Sequence, residues 1–211
     1  GQLEGMFIPK ELLLNLEKQN LIKSSYVSNS IEGNPLSLNE VTNLLLDDRV
    51  PVNRDEKEVK NYFDILNSLE KYTDKPINLS LTLDIHERLM TGVDDKIAGQ
   101  IRNKIIVIGK YLNKKQESAS IKVKHEPPAH KRDEITDILE ILFDWYEKSS
   151  IQDVLKAGIF HHQFVFVHPF EDGNGRTCRL LTALILLKNG FKINHYFVLD
   201  DFYDIALTQY S

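Results

Sequence analysis

Residues 168–179 read HPFEDGNGRTCR, a histidine followed by a glycine-rich turn and two arginines three residues apart. The run after it, LLTALILL (180–187), is apolar on every side and predicts a buried helix. Arg176 and Arg179 then fall in the first turn of that helix, where the macrodipole disfavours cations. The same helix start leaves main-chain N–H groups of the Gly173-Asn174-Gly175 turn without intrahelical acceptors, which makes it an anion site suited to phosphate. Two arginines at i and i+3 act there as phosphate clamps, and an anionic ligand offsets both their mutual repulsion and the dipole. Asp172 offers a hard oxygen of the kind Mg²⁺ takes beside a polyphosphate. His168, with an ordinary pKa of about 6.5, is a candidate general base. Taken singly, each residue is explained as well by a buried histidine or a surface ion pair. The set at this spacing is not.

Working outward from this stretch, helix signals dominate. Pro9 opens PKELLLNLEKQNLIK, with apolar residues at 12, 13, 16 and 21. SLNE (37–40) and NRDE (53–56) are capping-box patterns that start two more helices. Further helices are expected over 80–90, ending at Gly92, and over 131–148 and 152–166; the one after the motif stops at Gly190. Only IIVI (105–108) and IKVK (121–124) read as strands, joined in a small hairpin. The fold class is all-α with a small β-hairpin. Residues 1–50 form an N-terminal helical segment and 51–211 the core, in one compact unit.

Composition sets outer bounds. A chain of 211 residues suffices for one medium domain, and a net charge of −5 without a lysine- or arginine-rich block argues against nonspecific nucleic-acid binding. The single cysteine, Cys178, has no internal partner, so a reducing, cytoplasmic setting is expected. No apolar run reaches the length of a membrane span, and no signal peptide is expected. GQLEG ahead of Met6 is expected to be a cloning remnant. His125, His130, His161 and His162 lack the spacing of a metal site, and Cys178 reads as a packing residue.

A second stretch, VSNSIEGNP (27–35), mirrors the arginine problem. Ser28 and Glu32 stand at i and i+4, and Gly33 is a candidate C′ residue. Glu32 therefore lies at a helix C-terminus, facing the negative end of the dipole. Two misplaced opposite charges suggest that they meet.

The residues 168–179 match the signature of Fic-domain proteins, HPFx(D/E)GNGRxxR, at every fixed position. AGQIRNKIIVIG (98–109) resembles the family's target-binding flap, and EPP (126–128) with the helix ending in FDWYEK resembles the segment between flap and motif. The resemblance implies a mainly helical fold and transfer of AMP from ATP to a hydroxyl side chain of a protein target, with release of pyrophosphate. It assigns His168 as the base, Asp172 as the holder of Mg²⁺ (or Mn²⁺), and Gly173, Asn174 and Gly175 as the anion hole. Arg176 would bind phosphates or order the loop, Arg179 would grip the γ-phosphate, and Phe170 would anchor the loop. Kinase-like relatives carry lysine where this chain has Gly175, so AMP transfer is the expected reaction. Ser28 and Glu32 match the family's inhibitory motif, (S/T)xxxE(G/N), in which the glutamate pairs with the second arginine, here Arg179. Ile106, Val107 and Ile108 would form the flap edge, and Tyr203 and Tyr210 lie where the family places aromatics near adenine. The implied partners are ATP and a protein with an accessible hydroxyl, the chain itself included; no nucleic acid or membrane partner is expected, and oligomers are open. Two rival readings remain: removal of AMP or transfer of another nucleotide on the same scaffold, and a non-catalytic module that holds ATP or a protein.

Overall fold

The apolar run after the glycine turn is α7 (Asn174–Lys188), and almost every residue from Asn174 to Leu186 is buried. A helix apolar on all sides must be surrounded to be stable. Here the surrounding elements are α6 (Asp153–Val167), α4 (Leu79–Met90), α3 (Arg54–Asn67), α1 (Lys10–Ile31) and a 3₁₀ turn at Leu69–Tyr72. The remaining elements are α2 (Leu38–Leu46), α5 (Arg132–Lys148) and the strands β1 (Ile108–Tyr111) and β2 (Ile121–His125). This is a computed structural model that describes residues 10–111, 121–191 and Asp200. Tyr203, Tyr210 and the GQLEG stretch fall outside the described residues. Cys178, on the buried α7, is fully enclosed; burial pushes its thiol up to about 12, and its Sγ donates to the His161 carbonyl.

The capping signals place the helix starts. Ser37 and Glu40 form the reciprocal capping box that opens α2. Only half of the second pattern forms. Asn53 accepts from the Glu56 N–H, but the Glu56 carboxylate turns to the Arg49 guanidinium (2.6 and 2.9 Å) and the Val52 N–H. A bidentate arginine is the stronger partner, because both oxygens are then used by a charge-assisted donor. The close of α1 is a full Schellman motif: Asn34 N–H donates to Asn29 O, Gly33 N–H to Ser30 O, and Gly33 has φ +89°. That makes Glu32 the C-cap residue, with its side chain leaving the helix end.

The hairpin is antiparallel, but it begins later than IIVI suggests. Only Ile108 of that stretch is in β1, paired with His125; Ile105, Ile106 and Val107 precede the ladder. The partner strand explains this. Beyond His125 it runs through Glu126 into Pro127 and Pro128, which have no N–H to donate. The other side of the hairpin base is also tied down, since Asn103 Oδ1 accepts from Arg132 N–H and the Ile101 carbonyl from Arg132 Nε.

Candidate active site

His168 is the C-cap of α6 and has φ 50° and ψ 62°, a left-handed conformation that a non-glycine residue adopts at a cost of about 1–2 kcal/mol. The surroundings hold it there. Its N–H donates to Phe164 O, and its carbonyl accepts from Arg102 Nε at 2.7 Å. The ring Nδ1 faces the Val165 carbonyl at 3.3 Å. A carbonyl only accepts, so Nδ1 carries the proton and Nε2 keeps its lone pair. Burial lowers the His168 pKa, and the Arg102 charge adds to that, against the opposing pull of the Val165 bond and Glu32. The imidazole is therefore neutral at pH 7, as a general base must be.

Arg102 is 1% exposed and meets no carboxylate among the described residues. Its guanidinium donates to four carbonyls: His168, Lys104, Ala129 and Val167. One cation thus joins the chain before the hairpin, the chain after it and the C-terminus of α6, where the dipole favours positive charge. Its main-chain N–H also holds Pro169 O.

The turn from Phe170 to Asn174 is closed from both sides. Asn174 uses its whole carboxamide on Phe170, accepting from its N–H (2.8 Å) and donating to its carbonyl (2.9 Å). Fully buried Phe170 lies flat on His86 of α4, with ring centroids 3.7 Å apart. His86 accepts from Gly99 N–H at Nδ1 and so donates from Nε2 to the Asp172 carbonyl. Burial brings its pKa down to about 4. Gly173 N–H is taken by its neighbour's Asp172 Oδ1, and Thr177 makes the first intrahelical bond, to Gly173 O. The helix-start donors are therefore the N–H groups of Asn174, Gly175 and Arg176, one residue further along than the turn itself suggests.

Arg176 and Arg179 are the third and sixth residues of α7, so only Arg176 is in the first turn. Arg179, 7% exposed, is answered by the C-terminus of α1. Its Nη2 donates to Glu32 Oε1 at 2.7 Å and to Ser28 O at 2.9 Å, and its Nε donates to Ser28 Oγ at 2.7 Å. Asp200 approaches Nε at 3.6 Å and accepts from the Tyr62 hydroxyl. Burial alone would lower the Arg179 pKa, but Glu32, Tyr62 and Asp200 raise it. Glu32 is unfavourable at the C-terminus of its own helix, and the Arg179 cation that meets it there is favourable at that end. The Glu32 carboxylate also lies directly over Gly175, where an added Cβ would stand only 2.0 Å from Oε1.

A second charged group surrounds Asp172. Its Oδ1 accepts from Gly173 N–H and Arg176 Nη2, and its Oδ2 from Arg54 Nη2 at 3.1 Å. Glu58 holds both arginines, bonding Arg54 Nε at 3.0 Å and facing Arg176 Nη1 at 3.4 Å. Arg176 is 2% exposed, so of its two expected tasks the geometry favours ordering the loop over gripping a ligand. At the flap, Ile106 and Ile108 are half-buried while Val107 is 43% exposed.

The structure brings Ser28 and Glu32 onto Arg179 and Gly175 and joins Asp172 to Arg176, whereas of the three flap residues only Ile108 lies in the strand. His86, Arg102, Arg54, Glu58 and Asp200 complete the site without a motif to announce them. A buried arginine without a carboxylate leaves no local sequence trace, because its acceptors are main-chain carbonyls.

A family profile described as the Fic/DOC family matches residues 76–186, more than half of the chain. The protein adenylyltransferase fic-1 of Caenorhabditis elegans is 30% identical over 176 residues, covering 79% of this chain and 32% of its own. The protein adenylyltransferase Fic of Aedes aegypti is 29% identical over 188 residues, covering 85% and 34%. The chain therefore spans about a third of the length of these relatives. A Fic family protein from Desulfovibrio desulfuricans G20 has the same architecture, with a TM-score of 0.68 at 31% identity over 86% of this chain and 52% of that one. For a part of C. elegans Fic-1 the TM-score is 0.69 at 26% identity, over 89% and 53%.

Proposed function

Because the chain belongs to the Fic/DOC family, we propose that it transfers AMP from ATP to a serine, threonine or tyrosine hydroxyl of a protein and releases pyrophosphate. The relatives' names, protein adenylyltransferase, support the reaction. The observation that carries it is a neutral His168 with only Nε2 free, beside the unsatisfied amide end of α7. The hydroxyl oxygen attacks the α-phosphorus, its proton passes to Nε2, and the bond from phosphorus to the bridging oxygen breaks. The N–H groups of Asn174, Gly175 and Arg176 face the charge that builds on the phosphate oxygens. Arg179 takes the terminal phosphate once Glu32 leaves it.

Asp172 is the residue that would hold Mg²⁺ or Mn²⁺. Among the described residues no cluster of three or more His, Cys, Asp or Glu side chains could hold an ion alone. One carboxylate fits a metal shared with substrate phosphates, which is the usual way Mg²⁺ is bound. Such an ion neutralises phosphate charge. The segment 105–107, exposed at Ile105 and Val107, would offer main-chain groups to an extended stretch of target, which favours accessibility over sequence.

In the same reading α1 holds the enzyme off. Glu32 engages the phosphate-binding arginine and covers Gly175, so a triphosphate and the carboxylate compete for one place. Incubation with α-³²P-ATP should label protein, the chain itself included, while γ-³²P-ATP should not. Label from the γ position, or none from the α position in Glu32→Gly, would count against AMP transfer.

A further inference from the structure

The two charged groups in the site differ in which side chain can leave. Asp172 has one oxygen, Oδ1, fixed by Gly173 N–H and by Arg176, whose side chain is 2% exposed and faces Glu58. Its other oxygen, Oδ2, faces Arg54, whose side chain is 56% exposed. Asp172 itself is 42% exposed, so a cation can reach it from solvent. A cation arriving at Asp172 therefore exchanges with Arg54 and leaves Arg176 in place. Arg54 can turn away without losing its anchor, because its Nε stays on Glu58 Oε1 at 3.0 Å.

We infer that Arg54 is a built-in competitor for the metal position on Asp172. The inference rests on the reading of Asp172 as the metal-holding residue. Its consequence is that residues ahead of the matched 76–186 region supply a counter-charge to both halves of a metal–triphosphate: the Glu32 carboxylate on Arg179 and the Arg54 guanidinium on Asp172. The four charges around Asp172 (Arg54, Arg176, Asp172 and Glu58) sum to zero. A divalent ion entering alone would leave the group strongly positive, so metal and nucleotide enter together. Arg54 thereby sets how strongly nucleotide binding depends on metal.

The test uses Glu32→Gly as the background, so that Arg179 is free. The affinity for α,β-methylene ATP, which cannot release pyrophosphate, is measured by titration calorimetry at saturating Mn²⁺ and in EDTA. The ratio of the two affinities is the gain due to metal. Adding Arg54→Gln should raise this ratio about two- to fivefold, the range of one exposed ion pair. With Asp172→Asn present, the same change should have no effect. An unchanged or smaller ratio, or a rise that persists without Asp172, overturns the inference, as does a ratio of one in every variant. If the analogue binds no variant, the nucleotide-binding reading fails and takes this one with it. If the ratio shifts as expected but no variant transfers label from α-³²P-ATP, the reaction assignment fails and the role of Arg54 stands.

Discussion

The two sides of the turn between α6 and α7 are built on opposite electrostatic plans. On the His168 side burial and the Arg102 guanidinium, which donates to the His168 carbonyl, outweigh the Val165 carbonyl and the Glu32 charge and keep the ring neutral. On the α7 side full charges are paired across distant elements, Glu32 with Arg179 and Arg54 with Asp172. The first side keeps a proton acceptor uncharged. The second keeps cations ready by giving each one a carboxylate to hold. Under the proposed reading, a single site would be poised on one half and blocked on the other, because the Glu32 contact falls on the α7 side alone.

The largest expected effect tests the neutral side. His168→Ala should cut transfer about 10²- to 10⁴-fold, the usual share of a general base, while leaving nucleotide affinity intact. Single-turnover labelling with α-³²P-ATP gives the first and calorimetry the second; a parallel loss of both would mean that His168 shapes the nucleotide site instead. Because the His168 pKa is lowered, the active, deprotonated form should persist below the ordinary value of about 6.5, with activity lost as pH falls through the lowered pKa.

The charged side gives the next effect, with the opposite sign. The Glu32 side chain is 35% exposed against 7% for Arg179, so the pair lies between buried and surface regimes. We expect it to bias the site by roughly 1–3 kcal/mol, so Glu32→Gly should raise transfer about 5- to 150-fold. Ser28→Ala should act in the same direction but less, and Arg179→Ala should lower transfer in either background. A Glu32→Gly enzyme no faster than wild type would leave the pair a purely structural contact.

A third comparison concerns stability. His86 has a folded pKa of about 4 against roughly 6.5 unfolded, so the folded state binds fewer protons in that window. Its contribution is present above the unfolded value and is lost as pH falls toward 4, on the order of 3 kcal/mol at about 1.4 kcal/mol per pKa unit. His161, also lowered to about 4 by burial, acts in parallel. Urea melts at pH 7 and pH 4.5 should show His86→Gln losing less stability between the two pH values than wild type. Equal losses would place the acid sensitivity elsewhere. The smallest effect is expected at the flap: Val107→Pro removes one main-chain donor and should slow target labelling a fewfold while sparing nucleotide affinity. An unchanged labelling rate would take 105–107 out of target binding.

What could be read from the sequence follows the range of the interaction. Helix starts at Ser37 and Asn53 are local hydrogen bonds and carry local patterns. The Glu32–Arg179 contact spans 147 residues, yet Glu32 is a misplaced charge at the end of its own helix, and that misplacement is visible locally. Arg179 lies beyond the first turn of α7, where the dipole argument does not reach. Arg102 and His86 carry no such sign. Their partners are main-chain atoms, three of them 65 to 86 residues away, and nothing about IRN or DIHE distinguishes them from ordinary buried or surface positions. The late start of β1 was hidden for a similar reason, since the prolines that set it are in the other strand's continuation.

The enclosure of α7 gives the molecule its own clock. Its one thiol, Cys178, is fully buried, held near pH 12 in its ionisation and bonded to a carbonyl of the neighbouring helix. A thiol reagent can reach it only when the elements packed around α7 part, α6 among them, and the turn from His168 to Asn174 joins those two helices. Alkylation of this single sulfur, timed by mass spectrometry, would therefore report the rate at which the packing around α7 comes apart. A ligand that bridges the two helices should slow it in proportion to its affinity.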